Sequence, residues 1–447
     1  MNEKNGKNGT DLPSDGSKQI ELDDYQKNIK LLSDAIVSAQ SPIRILDAIK
    51  WNSKIKENFF AKKFKEQPEV TQDYYLENAN LDWPKQRQLF HIIEREITKK
   101  LGQFNPVGQM MRRVCGEYLR VLHMLERRGT HEFSYLSQEL YGSAKDVFHV
   151  NDPTLAQLGV LMADSLSHID RSRVLEEEER DINAEEAIKI LQKALNQHFS
   201  DPQEQVRVIL SDGIIADAAA GADYIKIRSD AKFNERDLKI LEIHEGLVHI
   251  GTTLNGKSQP ICTFLSKGPP SSTITQEGLA ILMEIISLIS YPARLKKIAN
   301  RIRAVELAED GATFLDIFEF FRTEGYDEEN CYILASRVFR GSLPTLGPFT
   351  KDLAYAKGFI TVYNFIQLAV RKGKLDRIPL LFCGKTNLED IRDITQLVDE
   401  GIIILPKYLP PQIKDLNAIT AWMCFANFLN QLSLGKIESD YAYLFGS

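Results

Sequence analysis

Only one window of this 447-residue chain reads as β-structure. Val206 to Leu210 is a short apolar run closed by Ser211-Asp212-Gly213. Ile214 to Ala218 is a second candidate strand, and Tyr224 to Arg228 alternates apolar and polar residues. Elsewhere apolar residues return every three or four positions, the period of a helix packed on one face. Leu22, Tyr25, Ile29, Leu32 and Ile36 form one such stripe, and Phe90, Ile93, Ile97 and Leu101 another. Ser41-Pro42 reads as an N-cap followed by proline at the first helical position, opening Ile43 to Trp51. Asn105-Pro106 opens a helix whose apolar face is Val107, Met111, Val114, Tyr118, Val121 and Leu125, with Gly129 as its stop. Asn183 and Glu186 give a capping-box-like start to the stripe Ile188, Leu191, Leu195. Beyond Asn234 the pattern predicts helices over 235–250, 276–291, 293–308, 313–323, 328–340, 350–371, 388–400 and 413–432. The expected fold class is α+β, predominantly helical, with one small sheet placed just before the 235–250 helix.

At roughly 150 residues per domain, the length suggests about three units, or one catalytic domain with a helical appendage. Hydrophobic residues make up 43%, enough for a sizeable core. Residues 1–20 have almost nothing to bury and are expected to be a disordered tail. Residues 21–170 form an N-terminal helical region, and 180–445 a second domain that contains the strands. The run Glu176 to Asp181 between them reads as a solvated helix face or linker. Charge gives 55 basic against 62 acidic residues, a net of −7, so nucleic acid is not an expected partner. The longest apolar run, Leu279 to Ser290, is interrupted by Glu284 and falls short of the ~20 residues that span a bilayer. No apolar h-region follows Met1, so neither membrane nor export is expected. Cys115, Cys262, Cys331, Cys383 and Cys424 are odd in number and never in C-x-x-C spacing. That argues against a disulfide framework and for a reduced, cytoplasmic protein.

The chemistry sits on the helix after the strands. Asn234 suits its N-cap, with Asp237 three residues on at the positive helix end. The helix then carries His244-Glu245-Gly246-Leu247-Val248-His249, close to the H-E-x-x-H helix in which two imidazoles bind zinc and the glutamate polarises water. The histidines are five apart instead of four, which on an ideal helix turns them about 140° from each other instead of about 40°. A one-residue π-bulge would absorb the extra residue, with Gly246 making distortion cheaper. Alternatively the helix ends at His249, near Gly251; or one histidine is packed and the other is merely at the surface. Downstream, Thr275-Gln276-Glu277-Gly278-Leu279-Ala280 places Glu277 at the start of a strongly apolar helix. Glu277 either favours that helix N-terminus or completes a His2Glu set with a fourth position left for water. Gly384-Lys385-Thr386 looks like the end of a P-loop, but Pro379 stands where the first glycine is needed.

Ile243 to His249 taken with Gln276 to Ala280 resembles the bacterial flavohemoglobin expression-modulating QEGLA motif family. That family is similar to the eukaryotic microtubule-associated tyrosine carboxypeptidases. Ser41 to Leu46, Leu254-Asn255-Gly256, Arg337 to Gly341 and Pro348 to Asp352, with Tyr355 and Gly358, extend the resemblance over roughly residues 22 to 440 for the bacterial family. For the eukaryotic enzymes the resemblance is confined to the catalytic portion. It implies a gluzincin-like metallopeptidase with 180–445 as its catalytic domain, His244, His249 and Glu277 as ligands of Zn2+, and Glu245 as general base. The tubulin substrate of the eukaryotic branch does not carry over.

The expected activity is therefore zinc-dependent removal of a C-terminal residue from a peptide or protein. An exopeptidase must also hold a free carboxylate, and arginine does so bidentately. Arg340, before Gly341, and Lys351, at a helix start where a cation is locally unfavourable, are the expected substrate-binding residues. Tyr355, one turn beyond Lys351, is the expected donor to the oxyanion. The alternative is a non-catalytic regulatory or binding protein, affecting gene expression, that keeps a structural zinc. An intact Glu245 argues against it, since a structural site has no use for a base.

Overall fold

The stripe that begins at Leu22 winds into a helix, Asp24–Gln40, in a computed structural model describing residues 22–77, 81–172, 179–212, 214, 216–441 and 444. The expected tail at 1–20 and Glu176 to Glu178 of the acidic run lie outside the described residues. Asp23 caps this first helix through Gln26 in a reciprocal capping box. Ser41 does not open the next helix. Its N–H still bonds back to Val37 and Ser38, so it closes the first one, and the following helix is only Ile45–Ile49 with Arg44 at its N-cap. Asn105 does cap Pro106–Glu126 as expected, accepting from the Gly108 N–H, and Gly129 after it takes a positive φ of 74°.

The described residues form two small sheets where one was expected. β1 (Ile182–Asn183) pairs antiparallel with β5 (Lys232–Phe233). β2 (Arg207–Ser211), β3 (Ala218–Ala220) and β4 (Tyr224–Arg228) form the other in the order β2-β4-β3. β2 runs parallel to β4 and β3 antiparallel to it, which leaves β3 on an edge. The two-residue β1 and β5 carry no periodicity of their own. Each leads directly into a helix: Asn183, the last residue of β1, caps Ala184–His198, and Asn234, the residue after β5, caps Glu235–Leu241. The alternation in β4 does what it predicts: Ile225 and Ile227 are buried and pair with Val208 and Leu210 of β2.

The helices of the first third share one apolar core with the rest. Ile29, Ile36, Phe90 and Val121 are fully buried in the same cluster as Leu195, Val248 and Leu279. A second cluster gathers Phe59, Phe314, Phe318 and Phe339, with Phe59 edge-on to both Phe314 and Phe318 at 5.2 Å. Such aromatic pairs contribute about 0.5–1.5 kcal/mol beyond their burial.

One helix crossing sets the position of the site. The Pro270–Ile286 helix starts six residues before its expected start at 276, with Pro270 at its first position. It lies against Ala354–Arg371 so closely that a Cβ added to Gly278 would stand 2.2 Å from the Gly358 carbonyl, and one on Gly358 would stand 2.0 Å from Ile274 O. No neighbour with a side chain fits there. Gly278→Ala or Gly358→Ala should therefore force the helices apart and cost about 1–3 kcal/mol, the usual range for overpacking. A denaturant midpoint equal to that of the wild type in both variants would show that the contact is not made.

Candidate functional site

The extra residue between the two histidines is accommodated by a change of helix type. Glu235–Leu241 is α-helical, Glu242–Ile250 is a π-helix, and Gly251–Lys257 returns to α. Residues i and i+5 are hydrogen-bonded across a π-turn, so His244 and His249 come onto one side with ring centroids 4.8 Å apart. The helix does not end at His249, and neither imidazole is left alone at the surface. Gly246 has a second use beyond easing the distortion: Leu195 fills its place, 2.5 Å from where a Cβ would be.

Glu277 lies two turns inside its helix, not at the start, so the positive end of the helix does not explain it. Its Oε2 is 3.4 Å from His244 Nε2 and 3.5 Å from His249 Nε2. That oxygen is buried and has no hydrogen-bond partner. One ligand atom from each of the three residues lies within 4.8 Å of the others. Burial opposes ionising Glu277, but Lys351, 3.3 Å from its Oε1, and the two imidazoles outweigh this and hold the carboxyl well below its usual range. An orphaned carboxylate oxygen facing two imidazole nitrogens fits a metal ion: the donor set is two nitrogens and one oxygen.

A second layer fixes these groups, and here the sequence reading missed residues. His244 Nδ1 lies 2.6 Å from Glu284 Oε1, which leaves Nε2 free to ligate. Arg294 holds both oxygens of Glu284 at 2.5 and 2.6 Å. Burial again works against the charge, yet Arg294 and His244 keep the Glu284 carboxyl down to about 2. The signal was present: Glu284 interrupts an apolar run seven residues after Glu277, two helical turns along the same face. Gln276 Oε1 lies 2.6 Å from Thr252 Oγ1 and accepts from Lys385 Nζ at 3.1 Å, and Lys385 also donates to His249 O at 2.8 Å. Burial pulls the Lys385 ammonium down to about 7. The lysine of the failed P-loop thus ties off a carbonyl of the π-helix.

Glu245 joins the site from the sheet side. Its Oε2 accepts from Ala220 N–H on β3 at 3.0 Å, and its Oε1 lies 3.9 Å from His244 Nε2. The Tyr355 ring stands 6.4 Å from the His244 ring and carries Arg301 on its face at 5.1 Å. Arg340 closes the Glu328–Phe339 helix as expected and is buried, its guanidinium over the Phe349 ring at 5.4 Å and its Nε without a partner. Burial and the nearby Arg337 pull it down to about 10. Arg337 itself grips Asp352 with two hydrogen bonds, at 2.6 and 2.8 Å. The structure thus brings His244, Glu245, His249, Glu277, Lys351 and Tyr355 together, with Arg340 one layer further back beside Phe349.

A helix-dominated chain that sets two histidines and a glutamate around a metal-sized gap, with a second glutamate beside them, has the makings of a metallopeptidase. The family model for microtubule-associated tyrosine carboxypeptidase matches residues 57–431, and the chain belongs to that family. The match begins well before residue 180, so it takes in most of the N-terminal helices as well as the catalytic portion. No curated protein matches the chain. No helix among the described residues is long and apolar enough to cross a membrane.

Proposed function

We propose that the protein is a zinc carboxypeptidase that removes a C-terminal residue from a peptide or protein. The observation that carries this reading is the π-helix, which turns a five-residue spacing into a shared site with Glu277 and leaves Glu245 alongside. His244, His249 and Glu277 hold the zinc. Zinc supplies Lewis acidity, making water nucleophilic near neutral pH and polarising the scissile carbonyl. Glu245 takes the proton of the attacking water on Oε1 and passes it to the leaving amine, while Ala220 N–H keeps its other oxygen in place. Tyr355 donates its hydroxyl to the oxygen that becomes negative. Arg340 and Lys351 receive the terminal carboxylate, although Lys351 also serves Glu277. The non-catalytic alternative leaves Glu245 only its hydrogen bond from Ala220 N–H and gives its other oxygen no use.

Metal analysis tests the site. Wild type should carry about one zinc per chain. Glu277→Ala, His244→Ala and His249→Ala should lose it, and Glu284→Ala should weaken zinc binding by about 10–100-fold through the loss of His244's partner. Freshly purified wild type with no zinc would overturn the assignment.

A further inference from the structure

The Asn417–Leu429 helix is apolar on two sides. Ile419 and Met423 anchor one side in the main core, and Trp422 at the margin meets Tyr363 of the Ala354–Arg371 helix edge-on at 6.0 Å. The other side faces water. Trp422 is 40% exposed, Phe425 68% and Phe428 64%, and Leu429, Leu432 and Leu434 are exposed as well. Trp422, Phe425, Leu429 and Leu432 follow one another at three- and four-residue steps, so they form one stripe, with Phe428 beside it. The stripe runs past the end of the helix, where Leu432 N–H still bonds to Leu429 O.

Size and charge together decide what fits this face. An aromatic side chain offers about 150–250 Å², so the three rings alone leave roughly 350 Å² in water. The three leucines carry the patch past the roughly 300–600 Å² of the largest patch on a typical monomer and toward the ~800 Å² that each partner gives to a stable interface. Residues 1–21, with Met1, Leu12 and Ile20 as their large apolar side chains, have too little to cover it. No charged side chain occurs from Asn417 to Leu434. A helix that lies on a membrane carries Lys and Arg on its polar face to meet the headgroups, whereas the far side of this one is buried in protein. A partner chosen by charge would be matched by charges here. An isologous contact needs the opposite: near a two-fold axis each residue meets its own copy, so a charge would face a like charge while an apolar stripe meets an apolar stripe. Asn430 and Gln431, both exposed, supply a polar rim.

We propose that this face binds a second copy of the chain, giving a homodimer in which the two Asn417–Leu429 helices cross at a two-fold axis with Phe425 and Phe428 at the centre. Aromatic side chains ringed by leucines, with charge excluded, are the composition of an interface core. The proposal is independent of the carboxypeptidase reading, because association is measured without turnover.

Sedimentation velocity of the full-length protein from about 0.1 to about 50 µM, a range that brackets micromolar affinity, tests it. Wild type should have the mass of two chains at the upper end. Phe425→Lys and Phe428→Lys should each have the mass of one chain throughout, because each brings like charges together across the axis. Both positions are exposed, so the circular dichroism of wild type should be kept. Leu432→Lys, beyond the helix, makes the same test if either of these variants misfolds. A thiol locates the contact independently. Cys424 is exposed, four residues before Phe428, whereas Cys115, Cys262, Cys331 and Cys383 are buried. Maleimide labelling of Cys424 should be several-fold slower in the wild-type dimer than in a monomeric variant at the same concentration. Wild type with the mass of one chain at every concentration would overturn the proposal. If that single chain floats with vesicles of phosphatidylcholine and phosphatidylserine, the face is a membrane surface instead. A dimer that persists in all three variants, or one whose Cys424 is labelled as fast as in a monomeric variant, would put the contact elsewhere and overturn it as well.

Discussion

Glu245→Gln is expected to lower kcat by about 10²–10⁴-fold, the range contributed by a positioned general base, with zinc content unchanged. Gln keeps the shape of the side chain and a carbonyl oxygen that can still accept from Ala220 N–H, so the contact to β3 survives. What is lost is the ability to take a proton at the oxygen 3.9 Å from His244 Nε2. The metal should stay because its proposed ligands are His244, His249 and Glu277. Steady-state kinetics and metal analysis on the same preparation check both halves. A variant that loses zinc along with activity would make Glu245 a ligand, and one that keeps its activity would remove it from the reaction.

Asp352→Ala should destabilise the fold by about 3–5 kcal/mol, as expected when one member of a buried ion pair is removed and the other stays. Asp352 is almost fully buried, and both its oxygens accept from Arg337. Without it, Arg337, Arg301 and Arg340 would sit together with no carboxylate between them. Burial opposes the charge on Asp352, but Arg337 and Arg301 outweigh it and hold the carboxyl well below the usual carboxylate range. A depressed folded-state value fixes the sign of the pH effect. The contribution of Asp352 is full above the unfolded value of about 3.9 and is lost as pH falls below it toward the folded value. Urea midpoints measured between pH 7 and 3 should therefore be flat for this contribution at neutral pH and fall below about 4 in wild type, with a shallower fall in Asp352→Ala. An identical midpoint in the variant at pH 7 would show that the pair contributes nothing.

Much of this could be read along the chain where local chemistry decides structure. Asn105-Pro106, and Asn234 with Asp237, specify helix starts through their own hydrogen bonds, and both starts are where they were expected. The five-residue spacing of the histidines required a distortion, and the π-helix is that distortion, though it runs over nine residues instead of one bulge. Most of the failures arise where the deciding partner lies in another segment of the chain. Gly278 is small because of Gly358, eighty residues away, and the true start of its helix at Pro270 lacks an apolar stripe to announce it. Glu284 needs Arg294, and Lys385 needs His249 O and Gln276, so neither shows its role in its own segment. β1 and β5 are two residues each, too short for a period, and exist only as a pair. Arg340 was placed correctly at its helix end, but its burial over Phe349 comes from a loop the pattern does not describe.

The central claim is that this site removes the last residue of a chain with a free carboxylate. Mass spectrometry of a defined peptide library, each member present with a free and with an amidated C-terminus, measures this directly after incubation with the zinc-loaded protein. The expected spectra show free-ended peptides shortened by one residue and their amidated counterparts left largely intact, with the shortening absent in Glu245→Gln. Internal cleavage at equal rates in both sets, or no shortening of any peptide, would contradict it.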